Sequence, residues 1–258
     1  MRKIVFLLAL LVGGFVSRAE AVEYNQSFMV KVGVFDAGVV NLNYNENKNN
    51  YLIATELKTD NFFAKIYPFF WRYEAEGLFI KDGVKPIIYR NKTKSRSSTR
   101  TKTVFYDNKG VAYKRVSTKD DKKNEKPIIN VYENVNAADL QTILAEMFKK
   151  VIDEQNCELS KEVYDGKKHY RVVAKNEGVE NRWFDFMRKN VNAYKCSLFI
   201  ENLKENNDNI LWDVSAETPI NLWFDVDVKA KMPKILEIRI DSTPLGEIQV
   251  SPSNLWIK

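Results

Sequence analysis

Cys157, His169 and the Asp165-Gly166 pair all fall within CELSKEVYDGKKHYRV, residues 157–172. His169 is the only histidine and Cys157 one of two cysteines, so a thiol nucleophile with an imidazole base would have to be built here. The spacing argues against it. Asp-Gly between alternating residues is a strong signal for a two-residue hairpin turn. Cys157 lies eight residues before Asp165 and His169 three after Gly166, so a regular hairpin does not bring them together. An exposed hairpin also supplies no oxyanion donors. Lys167, His169 and Arg171 then share a polar face, which predicts a solvent-facing His169, with Lys168, Tyr170 and Val172 on the other side.

The best-placed carboxylates are Asp225 and Asp227 in NLWFDVDVKAKMP. Two such groups can divide acid and base roles in hydrolysis. Leu222, Phe224, Val226 and Val228, however, read as a buried face, leaving Trp223, Asp225, Asp227 and Lys229 outside. A hydrolase would need Asp225, Asp227 or His169 to converge in one cleft. A single histidine excludes HExxH and multi-histidine metal sites, and no GxSxG, P-loop, GxGxxG or CxxC pattern occurs. The expectation is a non-enzymatic protein without cofactor or metal.

The elements that must position these residues begin after a leader. Arg2 and Lys3 precede an apolar run from Ile4 to Val16, and Ala19-Glu20-Ala21 places small residues before a cut after Ala21. The run is too short to span a bilayer, which takes about 20 apolar residues. Export to the periplasm is expected, with an oxidising environment that favours a Cys157–Cys196 disulfide. Losing Arg2, Lys3, Arg18 and Glu20 lowers the net charge from +6 to +4, a mild balance that does not suggest nucleic acid.

Residues 22–258 read as one β-rich domain. Val30, Val32 and Val34 share a face of the first strand, Ala37-Gly38 turns or bulges the chain, and Val40, Leu42 and Tyr44 continue the alternation. Further strands follow to Ser117, and TKDDKKNEK (118–126) reads as a charged loop. A helix over 137–152 is capped by Asn136 and carries Leu140, Ile143, Leu144, Met147, Phe148 and Val151 in one stripe. Later strands are expected near 159–164, 168–175, 194–203, 209–215, 220–229, 234–242 and 245–250. ENRWFDFMRKN reads as a short helix or an irregular aromatic loop. The predicted fold is an all-β, mainly antiparallel open barrel or curled spiral, with the helix covering an open end or plugging the interior.

Two surfaces could bind. Phe62, Phe63, Ile66, Tyr67, Phe69, Phe70 and Trp71 form core, or the rim of a site for an apolar, lipid-like ligand or a partner's apolar segment. The basic stretch Lys85 to Lys119 is an anionic-lipid or polysaccharide patch, or edge-strand charge that discourages aggregation. Peripheral membrane contact fits this chain; an integral span does not.

GVFDAGVVNL, the helix with Asp139-Leu140, Cys157, VYDGKKHY (163–170), Cys196, P-x-x-L-W-F (219–224) and LGEI come in an order that resembles the exported family of Gram-negative bacteria known as domain of unknown function 3108. The resemblance runs from about residue 24 to 250. It implies a periplasmic β-rich protein with no established enzymatic activity, and carries over no catalytic residue; the role expected for the chain itself is non-catalytic cell-envelope maintenance. The charged 118–126 segment and the Lys- and Asn-rich basic runs depart from it. Two roles remain open: holding an apolar ligand in a concave sheet, or binding an envelope protein through a sheet edge or the 62–71 cluster.

Overall fold

The alternating first segment folds as a hairpin of β1 (Val22–Val32) and β2 (Phe35–Asn47). It turns at Gly33-Val34, not at Ala37-Gly38. Ala37 is instead a bulge, since Val30 pairs with Gly38 while Lys31 pairs with Asp36. Val34 is therefore a turn residue, 88% exposed, and not part of the buried face. At Gly38 a Cβ would stand 2.5 Å from the Lys58 carbonyl oxygen, so only glycine lets the next strand lie this close.

This is a computed structural model describing residues 22–127, 137–165, 168–203, 218–227, 232–244 and 246–253. The leader, Asn136 and the strand expected at 209–215 lie outside the described residues. The chain continues through β3 (Asn50–Thr59), α1 (Asn61–Ile66), β4 (Phe69–Ile80), β5 (Gly83–Ser95), β6 (Thr99–Tyr106), β7 (Ala112–Lys119) and β8 (Lys122–Pro127). Then come α2 (Leu140–Glu154), β9 (Leu159–Tyr164), β10 (His169–Phe184), β11 (Lys189–Asn202), β12 (Ile220–Asp227), β13 (Met232–Ile240) and β14 (Ile248–Pro252).

The strands make one curled, antiparallel, barrel-like sheet in the order β8-β7-β6-β5-β4-β3-β2-β1-β14-β13-β12-β11-β10-β9. Two segments differ from expectation. Residues 118–126 are not a loop but the β7–β8 hairpin, turning on Asp120 and Asp121 with φ of 48° and 65°, as a two-residue hairpin turn requires. ENRWFDFMRKN is likewise the tip of the long β10–β11 hairpin, in which Arg182 pairs with Val191 and Phe184 with Lys189.

Helix α2 begins one turn later than expected. Its cap is Asp139, whose carboxylate accepts the Thr142 amide at 2.9 Å and the Thr142 hydroxyl at 2.7 Å. The predicted stripe is the buried one: Ile143, Met147, Phe148 and Val151 are inside, with Leu140 and Leu144 packed against them. The helix lies within the curl, touching β3, β4 and β5 on one side and β9 and β13 on the other. Phe148 meets the rings of Tyr44 and Phe224 edge-on at 6.0 and 6.1 Å. The Tyr51 hydroxyl donates to Thr142 Oγ1 at 2.9 Å, and Gly77 leaves room for that phenol to pass over β4. Beyond the helix, Cys157 is bonded to Cys196 on β11, with Cα atoms 6.3 Å apart.

Two outcomes follow from this packing. Phe148→Ala should cost about 3–5 kcal/mol in urea unfolding, because it empties the contact with both rings; a loss below 1 kcal/mol is incompatible with a helix holding the curl. Asp139 supplies a pH signature. Burial outweighs its bonds to Thr142 and pushes its pKa from 3.8 up to about 6. Between these values the native state holds a proton that the unfolded chain lacks, so this group's contribution to stability rises as pH falls through 6. From pH 7 to pH 5 the parent should gain about 1 kcal/mol relative to Asp139→Asn, which keeps the cap but does not titrate. A constant difference between the two melting curves across that range rules the assignment out.

Candidate docking surface

The residues proposed for chemistry do not assemble. His169 is buried, not solvent-facing, with its Nε2 2.8 Å from Glu162 Oε2. Glu162 also takes Arg171 at 3.3 Å. Strand alternation assigned His169 to an open face, but that face is covered at this position; at the β9–β10 turn beside it, Lys102 of β6 pairs with Asp165 at 3.1 Å. Asp225 sits toward the far end of β12, two strands away and at the opposite rim from the start of β10. Asp227 is the last residue of the same strand, and its side chain is outside the described residues. Among the described residues no three of His, Cys, Asp and Glu converge as a metal site.

Trp223 also differs from expectation. It is buried on the outer face of β12 with Phe184, Ala193 and Leu236, because the tip of the β10–β11 hairpin folds over that face. Arg182 stacks on its ring at 4.0 Å and pairs with Glu237 at 2.8 Å. Burial raises the pKa of Glu237 despite this arginine and Arg239. The arrangement completes a second small core.

The aromatic cluster is where apolar surface stays open. Asp60 caps α1 and its own amide donates to the Ala37 carbonyl at 3.2 Å, so the β2 bulge holds the helix start. At the other end Tyr67 N–H donates to the Phe63 carbonyl at 2.7 Å, and the Arg96 guanidinium donates to the carbonyls of Lys65 and Ile66 at 2.9 and 3.3 Å. Thr59 accepts the Phe69 amide at 2.9 Å, which starts β4 directly after Pro68.

This anchoring divides the predicted residues. Phe69, Phe70 and Trp71 join β4 and are partly buried, and Phe63 is partly buried with its ring 6.5 Å from Phe35. Phe62, Ile66 and Tyr67 remain 62%, 57% and 62% exposed. Val34 and Phe35, at the neighbouring β1–β2 turn, add two exposed apolar residues that the sequence reading placed within the alternating first segment. The result is an apolar patch of five residues on one rim of the sheet, held by backbone and cap bonds instead of by burial. Isolated exposed apolar residues are ordinary, but a contiguous group is the signature of an interaction site.

The basic stretch spreads over two faces. On the outside of β3–β5, Arg72 pairs with Glu56 and Glu74, and Arg90 with Glu74 and Glu76. Further basic residues lie on β6–β8.

Comparison with known proteins gives two positive findings. The model of the family described as "Protein of unknown function (DUF3108)" matches residues 24–242. The crystal structure of a beta-barrel-like protein of domain of unknown function DUF1849 from Brucella abortus resembles this chain with a TM-score of 0.50. Its sequence identity is 9%, the match covering 90% of this chain and 96% of that one, so the likeness concerns the fold alone. No curated protein matches.

Because Phe62 and Ile66 face solvent, Phe62→Ser with Ile66→Ser should change unfolding free energy by less than about 0.5 kcal/mol while lowering binding of a hydrophobic dye. A loss of several kcal/mol would mean that these side chains are core.

Proposed function

The chain belongs to the DUF3108 family, and from its own geometry we propose that it is an exported, non-enzymatic envelope protein that docks on another envelope component through the rim patch. The observation that carries this reading is the contiguous exposure of Val34, Phe35, Phe62, Ile66 and Tyr67 around a firmly capped α1. Of the two binding roles open from the sequence, docking is favoured over an apolar ligand in the concave sheet. Tyr44, Phe148 and Phe224, which would line such a ligand, pack on one another instead.

The non-enzymatic reading rests on the scattering of the candidate groups, with His169 enclosed by Glu162. Periplasmic location is supported by the leader and by the Cys157–Cys196 bond, which suits an oxidising compartment. No helix among the described residues is long and apolar enough to cross a membrane.

The test is fractionation of cells expressing the full chain or its Phe62→Ser/Ile66→Ser variant. The parent should sediment with the envelope in part and the variant should shift to the soluble fraction, with equal amounts and equal melting temperatures. Identical distributions for the two sink the docking reading.

A further inference from the structure

The inner face of β6–β8 carries an unusual grid of charge. Val104 of β6 is fully buried in the core, which fixes the inward side of these strands. By register, Val104 lies opposite Arg115, and Arg115 opposite Lys126. One step toward the rim, Lys102 lies opposite Ser117 and Ser117 opposite Asn124; at the rim itself, Arg100 lies opposite Lys119 and Lys119 opposite Lys122. These three strands therefore contribute five cations beyond Lys102 and no carboxylate to this face.

The other side of the same strands is neutralised. There Lys114 and Lys123 share Glu125, and Thr101 bonds Thr118 at 2.6 Å. Like charges directly across a strand pair are destabilising. Blunting an exposed edge needs charge on the edge strand alone, whereas here Arg100, Lys119 and Lys122 face one another across three strands. The repulsion calls for a counter-charge from outside.

Nearby carboxylates are already engaged or few. Asp165 holds Lys102, Asp120 accepts the Thr99 amide at 2.8 Å, and Asp60 accepts the Asn61 amide at 2.8 Å; Asp121 stands at the turn. Lys102 and Arg115 are bound within the fold, while Arg100, Lys119 and Lys122 are exposed.

The position of this charge identifies the occupant. The β7–β8 turn, the β5–β6 turn with Arg96, α1 and the β1–β2 turn follow one another along the same rim of the sheet. Arg96 joins the two parts by donating to the last turn of α1. Exposed aromatic and aliphatic side chains beside cations fit a bilayer interface, in which the former enter the headgroup boundary and the latter meet phosphates. We propose that this rim docks on an anionic lipid bilayer, with Phe62, Ile66 and Tyr67 entering the interface and Arg100, Lys119 and Lys122 meeting lipid phosphates. The inference rests on the docking reading above and names its partner.

Vesicle sedimentation with the purified, disulfide-bonded chain tests it. Vesicles of phosphatidylcholine doped with phosphatidylglycerol should bind the protein, pure phosphatidylcholine should bind it far more weakly, and salt should weaken binding. The Arg100→Gln/Lys119→Gln/Lys122→Gln variant should lose on the order of a hundredfold in affinity. It should melt no lower than the parent, because it relieves repulsion. Phe62→Ser/Ile66→Ser should weaken binding as well. The lipid assignment fails if doped vesicles are not bound, or if the charge variant binds like the parent. It also fails if soluble polyphosphate binds equally well and the apolar variant makes no difference, which would indicate a polyanion site. Should vesicles fail while Phe62→Ser/Ile66→Ser still alters fractionation, the partner is a protein and only the lipid inference falls.

Discussion

Phe148 touches rings on two strands that are not neighbours, Tyr44 on β2 and Phe224 on β12. A fourteen-stranded antiparallel sheet can twist into a curl, but a curl of this size leaves an interior that strand side chains alone do not fill. Helix α2 occupies it and packs against both arms, from β3–β5 to β9. The rest follows from that filling. The inward residues of β1–β6 are large and include Tyr24, Tyr44, Tyr51, Tyr89 and Tyr106, whose rings reach the helix or one another. Their hydroxyls reach polar groups at the margin of the core: Tyr51 donates to Thr142, Tyr44 to Glu46, and Tyr24 accepts the Ile235 amide. Burial raises the pKa of these phenols, which stay neutral. The disulfide adds a covalent hold where the chain leaves the helix and turns toward β9.

With the interior occupied by the helix, the exposed apolar patch lies at the rim, and it is built differently from the core. The β2 bulge, the Asp60 cap and the Arg96 guanidinium fix α1 through backbone groups. Apart from Phe63, which packs on Phe35, its apolar side chains can therefore remain exposed at little cost to stability. On the far arm the outer face acquires a second core, where Phe184 and Trp223 lie under a hairpin tip.

What could be read in the sequence and what could not divide along one physical line. Periodicity marked α2 through its apolar stripe and most strands through their alternation, and Asp165-Gly166 located its hairpin. The two cysteines needed no geometry beyond the inference of an oxidising compartment. The 118–126 segment holds no apolar residue, so a period of two had nothing to display, and only the register with β6 and β7 makes it a strand. Residues 180–190 misled in the opposite way: aromatic residues occur on both faces, Phe184 buried under the hairpin tip and Trp183 exposed on the other side, so no single period shows. His169 and Trp223 were misplaced because alternation tells which side a residue faces but not whether another part of the chain covers that side. For the site, Phe62, Ile66 and Tyr67 were visible as a dense aromatic run. Val34 and Phe35 were not, because the exact turn position decides whether they are buried or displayed.

The strand order has a further implication. Every neighbouring pair in the sheet joins strands adjacent in sequence, with one exception: β1 against β14, a seam of five residue pairs between Phe28–Val32 and Ile248–Pro252. Among the described residues the two strands next to the helix in sequence, β8 and β9, stand at the ends of the strand order, with Ala138 bridging to Val163 on the outer side of β9. The sheet is therefore two meanders, each made of local hairpins that form quickly, joined along one line by the first strand made and the last. During synthesis β1 has no partner on that side until nearly the whole chain has emerged. The seam is thus the slow, long-range step of assembly, and the edge of β1 is the place where a half-finished molecule would pair with a neighbour.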